Sequence, residues 1–411
     1  MRLPFEIFVS LRYLRSKKRY RTVSLNTFIS IAGVVIGVAT SIITLSVMTG
    51  FQGYFKEKIL SAIAHVVVME FSGSGVQEQK ELQKKVGKVP HVVATTPFII
   101  NQAMLTTRDR VQGVVVRGID PATEGTVTDL EKNMQEGSLK DLLDSSKQLP
   151  GIVIGEDLAR KFGVLIGDTV TMVNPLGEES PLGMIPKMKK FRLVGTFDAG
   201  MYDYNTGFAY ISLPSAQAFF EMPGRVSGIQ VKVDEVYRAG EIAEAIQSEV
   251  GFPFYTRNWI DMNKNFFSAL KLEKIGMSLI LVVIIIVASF NIIGTLTMIV
   301  MEKSREIAIL KSMGASGASV MKIFMFAGLV IGAVGTGIGS AIGYGIVAVI
   351  TRTGVISLPK DVYQVSRLPL SITPIDVLFI ALTALGISFL ATLYPSWQAA
   401  KQDPVEVLRY E

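Results

Sequence analysis

The sequence predicts an integral membrane α-helical protein of four transmembrane helices, with a large α+β domain inserted between helices 1 and 2. Three observations lead there. Four stretches, Thr22–Phe55, Ile275–Met301, Ile323–Thr351 and Val377–Ala400, contain no Asp, Glu, Lys or Arg. Crossing ~30 Å of hydrocarbon takes roughly 20 apolar residues, and each stretch is long enough. Residues 50–270, between the first and second stretches, have the composition of a soluble domain. The apolar fraction of 49% and the mean hydropathy of +0.41 average these two kinds of segment.

The elements follow in order. Residues 1–24 hold seven basic side chains, Arg2, Arg12, Arg15, Lys17, Lys18, Arg19 and Arg21, and supply much of the net charge of +6. Beside a membrane helix such a cluster is a topology signal and not a nucleic-acid footprint, so no nucleic-acid partner is expected. The N-terminus stays in the cytoplasm. Helix 25–49 leads out, the domain 50–270 is exported, and helix 271–301 returns. The connection 302–316 is cytoplasmic, with Lys303, Arg305 and Lys311. Helix 319–351 leads out again, and residues 352–373 form an outer loop despite Arg352, Lys360 and Arg367. Helix 374–395 returns to a cytoplasmic tail, 396–411. The first apolar run is too long for a cleaved signal peptide, and no A-x-A site follows it.

Within the exported domain, His65–Glu70, Asp168–Val173, Phe191–Phe197 and Ser227–Val233 carry strand patterns, and Val92–Thr107 with Val111–Ile119 suggests a β pair. Val153–Gly163 and Ala239–Val250 have helical spacing. The scatter of strands predicts a mixed sheet with helices on one side. Between two strands lies residues 174–190, NPLGEESPLGMIPKMKK. Pro175, Pro181 and Pro186 fix φ and remove donors, yet Leu182, Met184, Ile185 and Met188 are apolar. The segment is either a long loop folded back on the domain or a projecting arm that shows an apolar edge to a partner.

The third helix carries Gly328, Gly332, Gly335, Gly339 and Gly343 at spacings that line one face. In a bilayer such a face admits close approach of another helix. It lacks the spacing of a nucleotide loop.

Chemistry is sparse. Cysteine is absent, which excludes disulfides, iron–sulfur clusters and thiol catalysis. There is no G-x-x-x-x-G-K-[ST] loop and no G-x-S-x-G elbow. His65 and His91 stand apart without ligand spacing, so no metal site is expected. The apolar runs hold no acidic or basic side chain of the kind coupled transporters use. No catalytic residues and no cofactor are expected in this chain. A machine driven from outside fits better. The drive would enter at Glu302–Gly314, where Glu302, Arg305, Glu306 and Lys311 surround Ile307, Leu310 and Met313, and where Gly314 can end a helix. The plain alternative is an amphipathic helix lying on the membrane.

The segments EKSREIAILKSMGAS and YPSWQAAKQDPVEVLRYE resemble the permeases of the type VII ABC superfamily, which includes MacB, FtsX, LolC and LolE. SVMTGFQ at Ser46–Gln52 and SPLGMIPKMKKFRLVGTF at Ser180–Phe197 narrow the resemblance to the LolC/LolE family, with a lean toward LolC. The resemblance spans the whole chain. It implies a bacterial inner-membrane subunit that works with a LolD-like ATPase dimer, which binds the ATP and Mg, and with a second permease, LolE-like or another copy of itself. It implies a triacylated lipoprotein as cargo, drawn from among the membrane lipids, and a LolA-like periplasmic chaperone as recipient. Carried over by position, the chaperone-binding hook would be Pro181, Leu182, Gly183, Met184, Ile185 and Pro186. The ATPase-coupling helix would use Glu302, Arg305, Glu306, Ile307, Leu310 and Gly314, and the lipid cavity Val47, Met48, Phe51 and Met277. Gly276 stands where the family places a larger apolar residue. A MacB-like efflux permease and an FtsX-like regulator of a cell-wall hydrolase are the rival readings.

Overall fold

The computed structural model describes residues 5–15, 21–143, 149–180, 183–356, 358 and 368–409. They divide into a helical unit, formed by the chain up to Gly53, Ala269–Ile356 and the chain from Leu368, and a sheet unit built on Tyr54–Ser268.

The helical unit opens with α1 (Phe5–Arg15) and α2 (Arg21–Ala62). The sheet unit contributes α3 (Gln79–Val86), α4 (Glu124–Val127), α5 (Glu156–Phe162), α6 (Tyr202–Gly207), α7 (Leu213–Phe219), α8 (Ala239–Val250) and α9 (Trp259–Met262). Then come α10 (Lys264–Glu302), α11 (Ser304–Ser312), α12 (Gly317–Thr353), α13 (Pro374–Lys401) and α14 (Pro404–Arg409). Four of these, α2, α10, α12 and α13, are long and apolar enough to cross a membrane. All four extend past their apolar stretches, α2 and α10 the furthest. The 42 residues of α2 make a rod of about 63 Å at ~1.5 Å per residue. Its apolar run stops before Lys56, but Lys56–Leu60 are good helix formers with no Gly or Pro, so the helix continues. Charge ends the membrane span and leaves the helix intact. The bundle is held by Val34, Val38, Ile42 and Leu45 of α2, Leu281–Val300 positions of α10, and Phe324, Ala327 and Ile331 of α12, all buried.

The sheet unit is one ten-stranded mixed sheet. Its strands are β1 (Val66–Glu70), β2 (Val92–Thr106), β3 (Val111–Ile119), β4 (Met134–Gly137), β5 (Gly151–Gly155), β6 (Thr169–Ser180), β7 (Gly183–Phe197), β8 (Phe208–Ser212), β9 (Gly228–Val233) and β10 (Phe254–Asn258). They run in the order β10-β1-β9-β2-β3-β8-β5-β7-β4, with β6 joined to β2 and β7. The turn at 107–110 joins β2 to β3, and Ala239–Val250 is a helix. Val153–Gly163 divides: its first residues complete β5 and α5 starts at Glu156.

Helices on one side of the sheet were expected, and the structure corrects this. Val66, Val68, Ile99, Ile152 and Ile154 belong to one buried cluster, whereas Val67, Phe98 and Val153 point to clusters on the other face. Successive strand residues face opposite ways, so both faces are covered. One polar chain crosses this interior: Arg117 Nη2 donates to Gln230 Oε1 at 2.8 Å, and Gln230 Nε2 donates to Glu124 Oε2 at 3.1 Å. Burial pushes the Glu124 carboxyl above the usual range, and the Arg117 charge opposes the shift.

Candidate functional site

The connection between α10 and α12 is built as a rigid plug. α10 ends at Glu302, and Lys303 breaks the helix before α11 begins at Ser304. At its far end Ala315 N–H donates to Leu310 O and Gly314 N–H to Lys311 O, both at 3.0 Å. Gly314 sits at φ +100. This is the Schellman arrangement, and it explains why a glycine stands there. Ile307 and Ala308 are each 1% exposed, so they face the bundle. Lys311 Nζ donates to Ala400 O at 2.8 Å and to Gln402 O at 2.7 Å, which binds α11 to the C-terminal end of α13. The tail helix α14 packs beside α11.

The expected face Ile307–Leu310–Met313 is therefore split. Ile307 points inward and Leu310 is half-buried, whereas Met313, past the helix end, is 80% exposed. The outward apolar face is Ile309, 44% exposed, with Met313. Arg305 and Glu306 are also outward. Glu306 is already engaged, since Lys303 Nζ lies 2.5 Å from its Oε1. Lys303 is itself buried and sits over the Tyr13 ring at 5.5 Å. Burial, and then the Glu306 charge, push the Tyr13 hydroxyl up to about 12.

In the sheet unit, residues 174–180 and 183–190 belong to a β ribbon. β6 and β7 pair from Thr169↔Arg192 to Asn174↔Lys187, break register, and resume from Glu178↔Ile185 to Ser180↔Gly183. The break contains Pro175 and Pro186, neither of which has an N–H to donate. β2 pairs with β6 only at 171–173. Beyond Val173 the ribbon has two strands, over roughly 20 Å at ~3.3 Å per residue. Its base is fixed by fully buried Val170, Met172 and Phe191. Lys187 Nζ also reaches Glu221 Oε1 at 2.6 Å, near the end of α7. Ile185 is 57% and Met188 65% exposed, and Pro186 is exposed. Gly183 and Met184 start β7. Pro181 and Leu182, the expected tip of the hook, lie outside the described residues.

The expected cavity residues lie where α2 and α10 leave the packed core of the bundle. The bundle's packed core stops at Leu45 on α2 and Leu281 on α10. Val47, Met48 and Phe51 lie beyond the first and Met277 beyond the second. Met48 is buried, and Val47, Phe51 and Met277 are half-buried. A side chain at Gly276 would meet nothing within 4 Å. The segment before α13, with the first turn of α13, straps α2 at residues 46–50. Ser371 N–H donates to Ser46 O at 3.1 Å, Thr49 Oγ1 donates to Asp376 Oδ2 at 3.1 Å, and Gly50 lies directly against the Pro369 carbonyl.

The glycines of α12 face α13 and α2 and, at Gly328, also Leu296 of α10. A Cβ on Gly328 would strike Thr392, and one on Gly332 would come within 2.6 Å of Ser388 Cβ, both on α13. At Gly335, Gly339 and Gly343 the obstacles are Val34, Val35, Val38, Ala39 and Ile42 of α2. Among the described residues no group of three or more His, Asp or Glu could hold a metal ion.

Comparison with known proteins places these features. A MacB-like periplasmic core domain matches residues 27–249, and an FtsX-like permease C-terminal domain matches residues 278–404. The lipoprotein-releasing system transmembrane protein LolC of Neisseria meningitidis serogroup B is 34% identical over 415 residues, covering 99% of both chains. This chain belongs to the LolC/LolE family. The LolC of Xylella fastidiosa (strain Temecula1) is 35% identical and the LolE of Haemophilus influenzae 28%, each over 99% of both chains. The LolC/LolE chain is thus a multi-pass membrane protein with a periplasmic core domain. Its β ribbon falls in the MacB-like part, and α11 with the glycine face falls in the FtsX-like part. Three contributors to these sites went unread in the sequence: Tyr13, Ile309 and Asp376. Tyr13 had a signal, because FEIFVSLRYLR is amphipathic and Tyr13 falls on its buried side. Asp376 lies one residue outside the fourth uncharged stretch.

Proposed function

We propose that this chain is the permease subunit of an ATP-driven ABC complex of the bacterial inner membrane, which extracts lipoproteins and hands them to a LolA-like periplasmic chaperone. The observation that carries this reading is the two-stranded ribbon with Ile185 and Met188 exposed. A ribbon that leaves its own sheet and shows apolar side chains to water suits a partner. Whole-length similarity to proteins called lipoprotein-releasing supports it.

The chain carries no ATP loop, so a LolD-like ATPase dimer supplies the energy and binds the ATP and Mg. A second permease, LolE-like or another copy, completes the cavity around Val47, Met48, Phe51 and Met277. Flexible Met and Phe side chains suit acyl chains of varied shape. ATP-driven closure pulls on α11, which moves as one piece with α13 because Lys311 joins them. The unbroken α2 and α10 are stiff enough to carry a displacement along their length. Exposing acyl chains to water costs about 0.8 kcal/mol per CH₂, so three chains of ~15 carbons would cost on the order of 30 kcal/mol. Cargo must pass under cover, which requires a chaperone at the exit.

Ile309→Asp combined with Met313→Asp is expected to weaken ATPase association by about tenfold or more, because both anchors are apolar and exposed. The helical unit should still fold, since neither side chain is buried. Normal assembly and normal coupling of hydrolysis to release in the double variant would exclude α11 as the docking element. Proteins captured by the assembled complex decide the cargo reading: a periplasmic adaptor would point to MacB-like efflux, and a cell-wall hydrolase to FtsX-like regulation. Orientation is checked by single cysteines in this cysteine-free chain. Ser180→Cys should react with an impermeant thiol reagent added outside the inner membrane, and Ser316→Cys should not. The reverse pattern would overturn the topology.

A further inference from the structure

A groove of about 360 Å³ opens on the helical unit, lined by Glu6, Lys322, Met325, Phe326, Leu329 and Phe389. It lies among α1, α12 and α13, and nothing in the release cycle described above uses it. Its size falls within the range of small-molecule sites. Its lining is sorted by charge. Lys322 is in the second turn of α12, and Leu329 lies seven residues deeper, about 10 Å along the axis at ~1.5 Å per residue. One end therefore carries an acid and a base, and the rest is apolar. Glu6 and Lys322 form no ion pair among the described residues; the contact of Glu6 is Ser319 Oγ at 3.5 Å. Beside the groove, α1 turns Phe5, Phe8 and Leu11 outward. That spacing makes an apolar face suited to lying in a membrane interface, which puts the charged end at headgroup depth.

We propose that this groove holds one zwitterionic phospholipid of the phosphatidylethanolamine type, with its ammonium on Glu6, its phosphate on Lys322, and an acyl chain along Met325, Phe326, Leu329 and Phe389. The opposite charges at the mouth select the occupant. An anionic headgroup satisfies Lys322 but meets Glu6 with a like charge, and a detergent without charge satisfies neither. The charged rim and the apolar floor stand in the order in which a phospholipid presents its headgroup and chain. The inference does not depend on the lipoprotein-release reading.

The test is native mass spectrometry of the full-length protein, with the subunits that co-purify with it, delipidated and then titrated with phosphatidylethanolamine or phosphatidylglycerol. The wild type should retain phosphatidylethanolamine with roughly tenfold preference, the size of one charge-assisted contact. Glu6→Lys should remove that preference, and Lys322→Glu should lower retention of both lipids. Leu329→Trp, which fills the floor, should abolish retention of both. Its thermal unfolding in detergent should match the wild type, because Leu329 is exposed in the groove. Equal retention of the two lipids by the wild type would overturn the proposal. So would retention unchanged in all three variants, or occupation of the groove by detergent alone.

Discussion

Replacing residues 181–186 with a Gly-Ser segment is expected to abolish capture of the chaperone and leave the rest of the protein intact. Among the described residues no third strand pairs with β6 past Val173, so the outer part is joined to the sheet through β7. The core residues at its base, Val170, Met172 and Phe191, remain in place. Exposed substitutions away from a core usually change stability by about 0.5 kcal/mol or less, so the melting transition should barely move. Binding is different. Interface energy concentrates in a few buried anchors, and Ile185 and Pro186 lie within the replaced segment. Loss of such anchors costs about 2–4 kcal/mol, or at least ~30-fold in affinity. Calorimetry of the purified complex with the chaperone measures the loss, and lipoproteins retained in the inner membrane report its consequence. If the segment packed on its own domain, the replacement would lower the melting temperature and leave chaperone affinity unchanged. Lys187 makes a useful control. Its ion pair with Glu221 ties it to its own domain. An exposed pair of this kind contributes at most about 1 kcal/mol, so Lys187→Ala should have little effect on capture.

What the sequence could show depended on how many constraints met at each position. The four spans were legible because hydrocarbon excludes charge over a whole helix, and one Lys or Glu marks the limit. The helix ends were not, because Lys56–Leu60 satisfy the helix as well as the apolar residues before them. The ribbon was hidden for the opposite reason. Pro175, Pro181 and Pro186 carry loop signals, yet two of them fall where the ladder breaks register and no donor is needed. Sheet coverage failed at Val66–Val67–Val68 and Ile152–Val153–Ile154, where residues of both parities are apolar. A strand buried on both faces gives no alternation to read. Ile307, Ile309 and Leu310 of α11 and Met313 just after it are all apolar, so periodicity alone could not choose the inward face. The choice was made by α1, whose Tyr13 lies with Lys303 beneath Glu306, and by the helix stop that leaves Met313 outside. Such information lies in contacts between segments some 290 residues apart in the chain.

Gly339→Leu is expected to disrupt the helical unit, while Gly337→Leu, two residues away on the same helix, is expected to be tolerated. A Cβ at Gly339 would stand 2.8 Å from the Val35 carbonyl oxygen and 2.9 Å from Val38 Cβ. The first obstacle is backbone and cannot turn aside. Overpacking costs about 1–3 kcal/mol, and more where the backbone must move. Without a hydrophobic drive between helices in lipid, close packing carries much of their association, so spreading α12 from α2 loses contacts along the whole glycine face. At Gly337 a Cβ meets nothing within 4 Å, and losing a helical glycine gains up to about 1 kcal/mol in propensity. The contacts of α12 with α2 and with α13 can also be told apart. At Gly332 the obstacle is the Ser388 side chain, with Cβ at 2.6 Å and Oγ at 2.9 Å. Gly332→Ala should therefore destabilise, and adding Ser388→Gly should restore most of the loss by removing the hydroxymethyl group that the new methyl group meets. Val38→Ala should not rescue Gly339→Leu, because the Val35 carbonyl remains. Thermal unfolding of the detergent-solubilised protein, with membrane yield alongside, measures all five variants. Equal behaviour of Gly337→Leu and Gly339→Leu, or no rescue by Ser388→Gly, would show that the glycine face does not set the helix spacing.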